Sequence, residues 1–234
     1  MKKLRTLAVS FDANIQPFEL SAFRGALALK VGWEHEWFHN HDNTNGGTHN
    51  RYPLIQYKLD TYKGQMRPML LCLENGIEEA HHLFSQPDWT VNLKGNTFPL
   101  KIAQLNVNQY TLNTWERPFH YCIHKWQPLN VENFEKYQQL TGLVERLSFL
   151  EKLLHNQIVS FAAGVSWHLD KDFTVKITDL PKEEWLAYKH KQKMRVFTLD
   201  FEANVSLPEF VGLGRGASRG LGVVRRVRER ISQN

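Results

Sequence analysis

Eleven residues near the C-terminus read Gly212-Leu213-Gly214-Arg215-Gly216-Ala217-Ser218-Arg219-Gly220-Leu221-Gly222, with five glycines and two arginines among them. So many glycines make a helix or a regular strand expensive. They also let the main chain approach a ligand, and the N–H groups of such a turn can cradle phosphate oxygens. Arginine pairs with phosphate through two parallel hydrogen bonds. Residues 211–234 carry Arg215, Arg219, Arg225, Arg226, Arg228 and Arg230 against the single acid Glu229, so they account for the whole formal charge of +5. An excess confined to one short segment marks a docking surface for an anionic partner. The candidate contacts to a ribose-phosphate backbone are Gly212, Gly214, Arg215, Gly216, Ser218, Arg219, Gly220, Gly222 and Arg225.

Two nucleotide motifs fail on this segment. Gly212-x-Gly214-x-x-Ala217 loosely matches a dinucleotide fingerprint, which requires a following helix and an acid ~20 residues on. Only 17 residues remain after Ala217, and Val223 to Val227 favours a strand. No Gly-Lys-Ser/Thr follows, so there is no phosphate-binding P-loop. A zinc reading also arises, because His35-Glu36-Trp37-Phe38-His39 matches H-E-x-x-H. On a helix the two imidazoles would share a face, hold zinc and leave Glu36 to activate water, as in a metallopeptidase. Gly32 before it and the polar stretch after it oppose a long continuous helix, and no companion motif supplies a third ligand. His81-His82, His120 and His124 read as surface or strand positions. No metal and no cofactor is assigned.

The elements that would position these residues follow from periodicity. Leu4 to Phe11 reads as a strand. Pro17 opens a helix, carried by Leu20, Phe23, Leu27 and Val31 and closed at Gly32. Strands follow at Tyr52 to Leu59 and Arg67 to Leu73, then a short helix to Phe84 with Asn75 and Glu78 as its capping box. Trp89 to Leu93 and Leu100 to Val107 are strands. The order β-α-β-β-α-β is the ferredoxin-like unit. A looser copy begins near Trp115: a strand at Phe119 to Lys125, a helical region capped by Asn130 and restarting at Ser148 and Glu151, strands at Phe173 to Ile177 and Arg195 to Val205, the glycine segment, and a strand at Leu221 to Val227. The expected architecture is α+β, two tandem ferredoxin-like (RRM-like) domains with antiparallel sheets and helices on one face. Residues 1–112 form the first domain and 113–234 the second.

The glycine segment has the form glycine-hydrophobe-glycine, five residues with arginines, glycine-hydrophobe-glycine. It closely resembles the C-terminal signature of the CRISPR-associated repeat-processing endoribonucleases, the Cas "six" family of the RAMP superfamily. Outside that segment the likeness is one of architecture and length. The resemblance implies binding of the repeat in a CRISPR precursor transcript and one cut per repeat. The 2′-hydroxyl attacks the adjacent phosphate without metal, leaving 2′,3′-cyclic phosphate and 5′-hydroxyl ends. It implies repeat RNA as partner, a CRISPR effector complex as recipient, and a monomer or homodimer. A catalytically silent RNA-binding module of the same fold is the alternative.

That reaction needs a base for the hydroxyl, an acid for the leaving oxygen and a cation for the phosphorane. The family places a catalytic histidine between its first helix and the next strand. Here that window holds His35, His39, His41 and His49, four of the chain's eleven histidines. His41 ranks first, then His39, both in the polar run Phe38-His39-Asn40-His41-Asp42, and His49 third. Lys58 is the candidate cation. The first helix lacks the tyrosine found in several family members, which leaves Tyr57 or Arg51 for the remaining role.

The bulk composition fits these readings. At 42% hydrophobic and 23% charged, the chain is ordinary for a soluble globular protein. No apolar run approaches the ~18 residues of a membrane span, the N-terminus lacks a secretion signal, and a cytoplasmic location is expected. Cys72 and Cys122 are expected as buried reduced thiols.

Overall fold

The computed structural model describes residues 1–39, 51–187 and 193–227. The first half contains β1 (Lys2–Phe11), α1 (Leu20–Val31), β2 (Ile55–Tyr62), β3 (Gln65–Leu73), α2 (Asn75–Phe84), β4 (Thr90–Leu93), β5 (Asn96–Pro99) and β6 (Ile102–Leu112). Four of these strands form an antiparallel sheet in the order β2-β3-β1-β6, the ferredoxin-like arrangement, and β4 and β5 make a separate hairpin. The second half contains β7 (Thr114–Trp126), α3 (Val131–Gln139), α4 (Leu143–Gly164), β8 (Val175–Ile177), β9 (Lys182–Ala187), β10 (Lys193–Val205) and β11 (Val223–Arg226). Its order, β11-β7-β10-β8, repeats the first, with β9 paired to the N-terminal part of β10. The protein is therefore two tandem ferredoxin-like units. In the second, the helix expected between the third and fourth strands is replaced by the glycine segment.

Local chemistry moves several boundaries. Pro17 starts a 3-10 turn that leads into α1, and Gly32 ends the helix at φ +102. The cap of α2 is Glu74, not Asn75: its carboxylate accepts from the Arg5 N–H at 3.2 Å while Arg5 also pairs with Glu78 at 2.9 Å. Asn130 caps α3 as expected, accepting from the Asn133 N–H at 2.7 Å. The helical region breaks at Leu140–Gly142 rather than at Ser148. Gly142 is extended there, and Glu145 accepts from its N–H at 3.2 Å to start α4.

Burial explains how the halves associate. Leu7, Val9 and Phe11 of β1 meet Phe23, Leu27 and Val31 of α1 and Ala80 and Leu83 of α2 in one core. Leu4, Leu71, Leu73 and Leu112 belong instead to a second core shared with Trp126, Leu154, Phe161, Phe197 and Phe201. The first sheet is thus covered on both sides, by its own helices on one and by the second domain on the other. Cys72 is buried and Cys122 half-buried, and both are free thiols. Among the described residues no helix is long and apolar enough to cross a membrane.

Candidate active site and RNA interface

β2 is an edge strand of the first sheet, and the glycine segment covers that edge. Tyr57 donates its N–H to the Ser218 carbonyl at 3.0 Å and forms a parallel bridge with Arg219. Side chains on the second-domain face of β2 complete the joint. The Gln56 amide oxygen accepts from the Gly212 N–H at 2.9 Å, and its NH₂ donates to the Tyr52 hydroxyl at 2.8 Å. That hydroxyl in turn donates to the Gly212 carbonyl at 2.7 Å. Lys58 donates its ammonium to the Ala217 carbonyl at 2.7 Å.

This geometry corrects the role expected of Lys58. The side chain is 0% exposed and closed over by the glycine segment, so its ammonium cannot reach a phosphate on the surface. Burial, with Arg225 nearby, pushes its pKa down to about 7. It holds the loop from within the joint.

The glycines need the same revision. Gly212 and Gly222 are buried, and their N–H groups go to Gln56 and to the Lys125 carbonyl, not to a ligand. At Gly222, with φ +61, a Cβ would overlap the Leu213 carbonyl oxygen. At Gly212 it would lie 2.5 Å from the Lys58 nitrogen. Close approach is required, but of protein to protein. Arg225 is also committed: it lies 3.8 Å from Asp60 and stacks 3.3 Å over Phe210. The part of the segment left toward solvent is Gly214, the exposed Arg215, Gly216 and the half-buried run Ser218, Arg219, Gly220.

The histidine segment enters beside that face. The Tyr57 hydroxyl donates to the Phe38 carbonyl at 3.1 Å, and Arg24 of α1 donates to the His39 carbonyl. Arg24 is mostly buried and lies within electrostatic reach of both Tyr57 and Arg219. Two residues thus fix the main chain at Phe38 and His39. His39 itself is 3% exposed. Its Nε2 sits 2.9 Å from the Trp33 carbonyl and its ring is tilted against that indole at 5.1 Å. The sequence places His39 in a loop presented to RNA; in the structure its ring is turned inward against Trp33. His41 and His49 lie outside the described residues.

Tyr57, a candidate for the remaining catalytic role, is buried, its pKa raised by desolvation and its hydroxyl committed to Phe38. Arg51 stacks 4.2 Å over Trp37, with Glu36 at 3.9 Å. The zinc-peptidase arrangement is not formed. Residues 36–38 make a 3-10 turn with His35 and His39 at its two ends, so their imidazoles do not share a helix face.

A groove of about 810 Å³ opens where the two halves meet. Tyr110, Trp115, Phe119, Arg117, His120 and Arg226 line it, with the Arg226 guanidinium 4.6 Å over Phe119. Aromatic faces beside guanidinium groups suit stacked bases and a phosphate chain. The sequence reading missed this groove. Its lining residues are scattered over Tyr110 to Tyr121 and Arg226 with no motif, and in sequence they look the same as half-buried strand positions.

Family models describing the Cas6b N-terminal domain and the Cas6b C-terminal domain match residues 2–111 and 113–227. The chain belongs to the Cas6b family. The resemblance carried by the glycine signature is therefore borne out. A crystal structure of Cas6b covers 97% of this chain and 100% of its own, at TM-score 0.83 and 25% identity. A second, of a CRISPR RNA processing endoribonuclease Cas6b, has the same coverage at TM-score 0.71 and 22% identity. An uncharacterised protein of Methanocaldococcus jannaschii is 26% identical over 140 residues, 59% of this chain and 93% of its own length.

Proposed function

We propose that this Cas6b protein is an endoribonuclease that cuts CRISPR precursor RNA within its repeats. The carrying observation is the junction at β2, where the entry of the histidine segment and the exposed face of the glycine segment meet. Arg215 and Arg219 steer the ribose-phosphate strand across that junction, and the groove lined by Trp115 and Phe119 takes unpaired bases. His41 is the first candidate for the general base, with His49 the next. The base removes the 2′-hydroxyl proton, and the oxygen attacks the adjacent phosphorus. The bond to the 5′-oxygen breaks, and that oxygen takes a proton from the general acid. The products carry a 2′,3′-cyclic phosphate and a 5′-hydroxyl. Imidazole and guanidinium groups supply every charge this route requires, so no metal takes part in it. An effector complex receives the trimmed RNA.

The test is repeat RNA incubated with the protein in excess EDTA, followed by end-group analysis. Cleavage at one position per repeat, with a cyclic phosphate, is expected. Cleavage that stops in EDTA, or that leaves a 3′-hydroxyl, overturns the mechanism. Binding without cleavage leaves an RNA-binding module.

A further inference from the structure

We infer that His35, Glu79 and His82 form a divalent-metal site of the kind suited to Zn²⁺, which ties the connection after α1 to α2. Glu79 and His82 are three residues apart on α2 and so lie on one side of it. His35 stands at the start of the 3-10 turn that follows α1. One potential ligand atom from each of the three lies within 4.8 Å of the others, and all three residues are half-buried. The His35 and His82 rings lie against each other, tilted, with centroids 3.8 Å apart and planes inclined by 30°. The His35 Nδ1 is 3.8 Å from a Glu79 carboxylate oxygen. Two imidazole nitrogens and one carboxylate, with water in the fourth position, are a recognised tetrahedral donor set for zinc. Bonds of ~2.0–2.2 Å place such donors about 3.3–3.6 Å apart, so the ligand atoms, now within 4.8 Å of one another, close by up to about 1.5 Å as the two imidazoles turn their nitrogen edges to the ion.

The surroundings add a second argument. The other nitrogen of His35, Nε2, lies 3.9 Å from a Glu34 carboxylate oxygen. A carboxylate on the far side of a liganding imidazole fixes its tautomer and strengthens its donor nitrogen. With Nδ1 facing the metal, the exposed Glu34 side chain reaches Nε2 by a shift of less than about an ångström from its present 3.9 Å. His35 was one half of the H-E-x-x-H string, but its partners come from α2 and not from His39, which is turned to Trp33. The ion would fix the main chain four residues ahead of His39. It is a structural ion, and the cleavage reaction proposed above does not use it.

The experiment uses the untagged, metal-stripped full chain. It is titrated with Zn²⁺ by calorimetry and with Co²⁺ by visible absorption. One equivalent should bind, with the intense bands of four-coordinate cobalt, and Zn²⁺ should raise the melting temperature. His82→Ala and Glu79→Gln should each weaken binding by about 10-fold or more and abolish the Zn²⁺-dependent rise, while His81→Ala, one residue away and exposed, should match wild type. Circular dichroism and repeat-RNA binding in EDTA should be unchanged in His82→Ala. That readout keeps failure of the metal site distinct from failure of the endoribonuclease reading. Absence of stoichiometric binding, or an unaltered isotherm in His82→Ala, overturns the site.

Discussion

The two halves share one sheet order and differ in what connects the third strand to the fourth. In the first half the connection carries α2, whose Ala80 and Leu83 are buried in the core that α1 forms with the sheet. In the second half it is the glycine segment, which has few apolar side chains to bury and is held by polar contacts with β2. A helix satisfies its own backbone and needs only one apolar face. A glycine-rich turn must find hydrogen-bond partners elsewhere. Here it finds some within its own half, at Lys125 and Gln127, and others across the domain boundary, in Gln56, Lys58 and the Tyr57 main chain. The same turn that locks the halves together also leaves Arg215 exposed on its outer side.

The sharpest way to break this contrast is to add one methyl group on each side of it. Gly222→Ala should cost about 3 kcal/mol or more, since the new Cβ meets a backbone oxygen and φ is positive. Gly25→Ala, inside α1 where a Cβ would meet nothing within 4 Å, should gain about 0.5–1 kcal/mol. Urea denaturation reads both. Similar values at the two positions would mean that the turn relaxes freely and is no joint.

His41→Ala should lower the cleavage rate by about 10²-fold or more and leave RNA affinity intact. His39→Ala should instead lower the rate and the melting temperature together, because its ring is buried against Trp33. Single-turnover kinetics with a melting curve for each variant separates the two. If His39→Ala loses rate with no change in stability, the imidazole acts on RNA after a rearrangement, and the assignment between the two histidines reverses.

Much of the fold was legible because it rests on local pattern. The strands from Leu4 to Phe11 and from Arg195 to Val205 alternate or run apolar, and Asn130 announces its helix. Two strands were invisible for the same reason: Lys182–Ala187 reads as charged and Asn96–Pro99 as a turn, and only pairing with a neighbour makes them extended. The site was legible in its residue types but not in its allocation. Gln56 and Lys58 look like the solvent face of an edge strand, yet both are buried by a segment more than 150 residues away. No local rule carries that information. The glycine signature identified the family through its spacing, while the reason for the spacing, contact with Lys58 and Leu213, needs the folded chain.

Lys58 tests whether the joint depends on charge. Its folded pKa is about 7 against 10.5 unperturbed, so between those values the unfolded chain binds more protons than the folded one. Stability should therefore rise with pH across that window, by up to about 1.4 kcal/mol per pH unit for this group. Below pH 7 the ammonium is charged in both states and its full burial cost remains. Lys58→Met should flatten the slope between pH 7.5 and 9.5, approximate values chosen inside that window. Denaturation curves of the two proteins at both pH values give the comparison. Parallel slopes would show that the ammonium is solvated, and that the glycine segment is open to water where it meets β2.

The smallest expected effect concerns the outward face alone. Arg215 is exposed, and its main-chain N–H donates to the Gln127 carbonyl at 3.1 Å. Arg215→Ala should leave stability unchanged and reduce the salt dependence of RNA binding by about 0.7 in slope, the value for one phosphate contact on a single strand. Arg219→Ala should reduce the slope similarly and also lower stability, because its side chain is half-buried where the segment meets β2, although its main-chain bridge to Tyr57 survives the substitution. Lys101→Ala, an exposed cation of the first half, serves as the reference and should change neither. The ratio of the two arginine effects then divides the segment into its two jobs. A salt slope that falls without a stability cost belongs to the RNA face, and a fall in both belongs to the joint. If neither arginine alters the slope, the strand crosses the protein elsewhere. The groove of Trp115, Phe119 and Arg226 would then be the site to mutate.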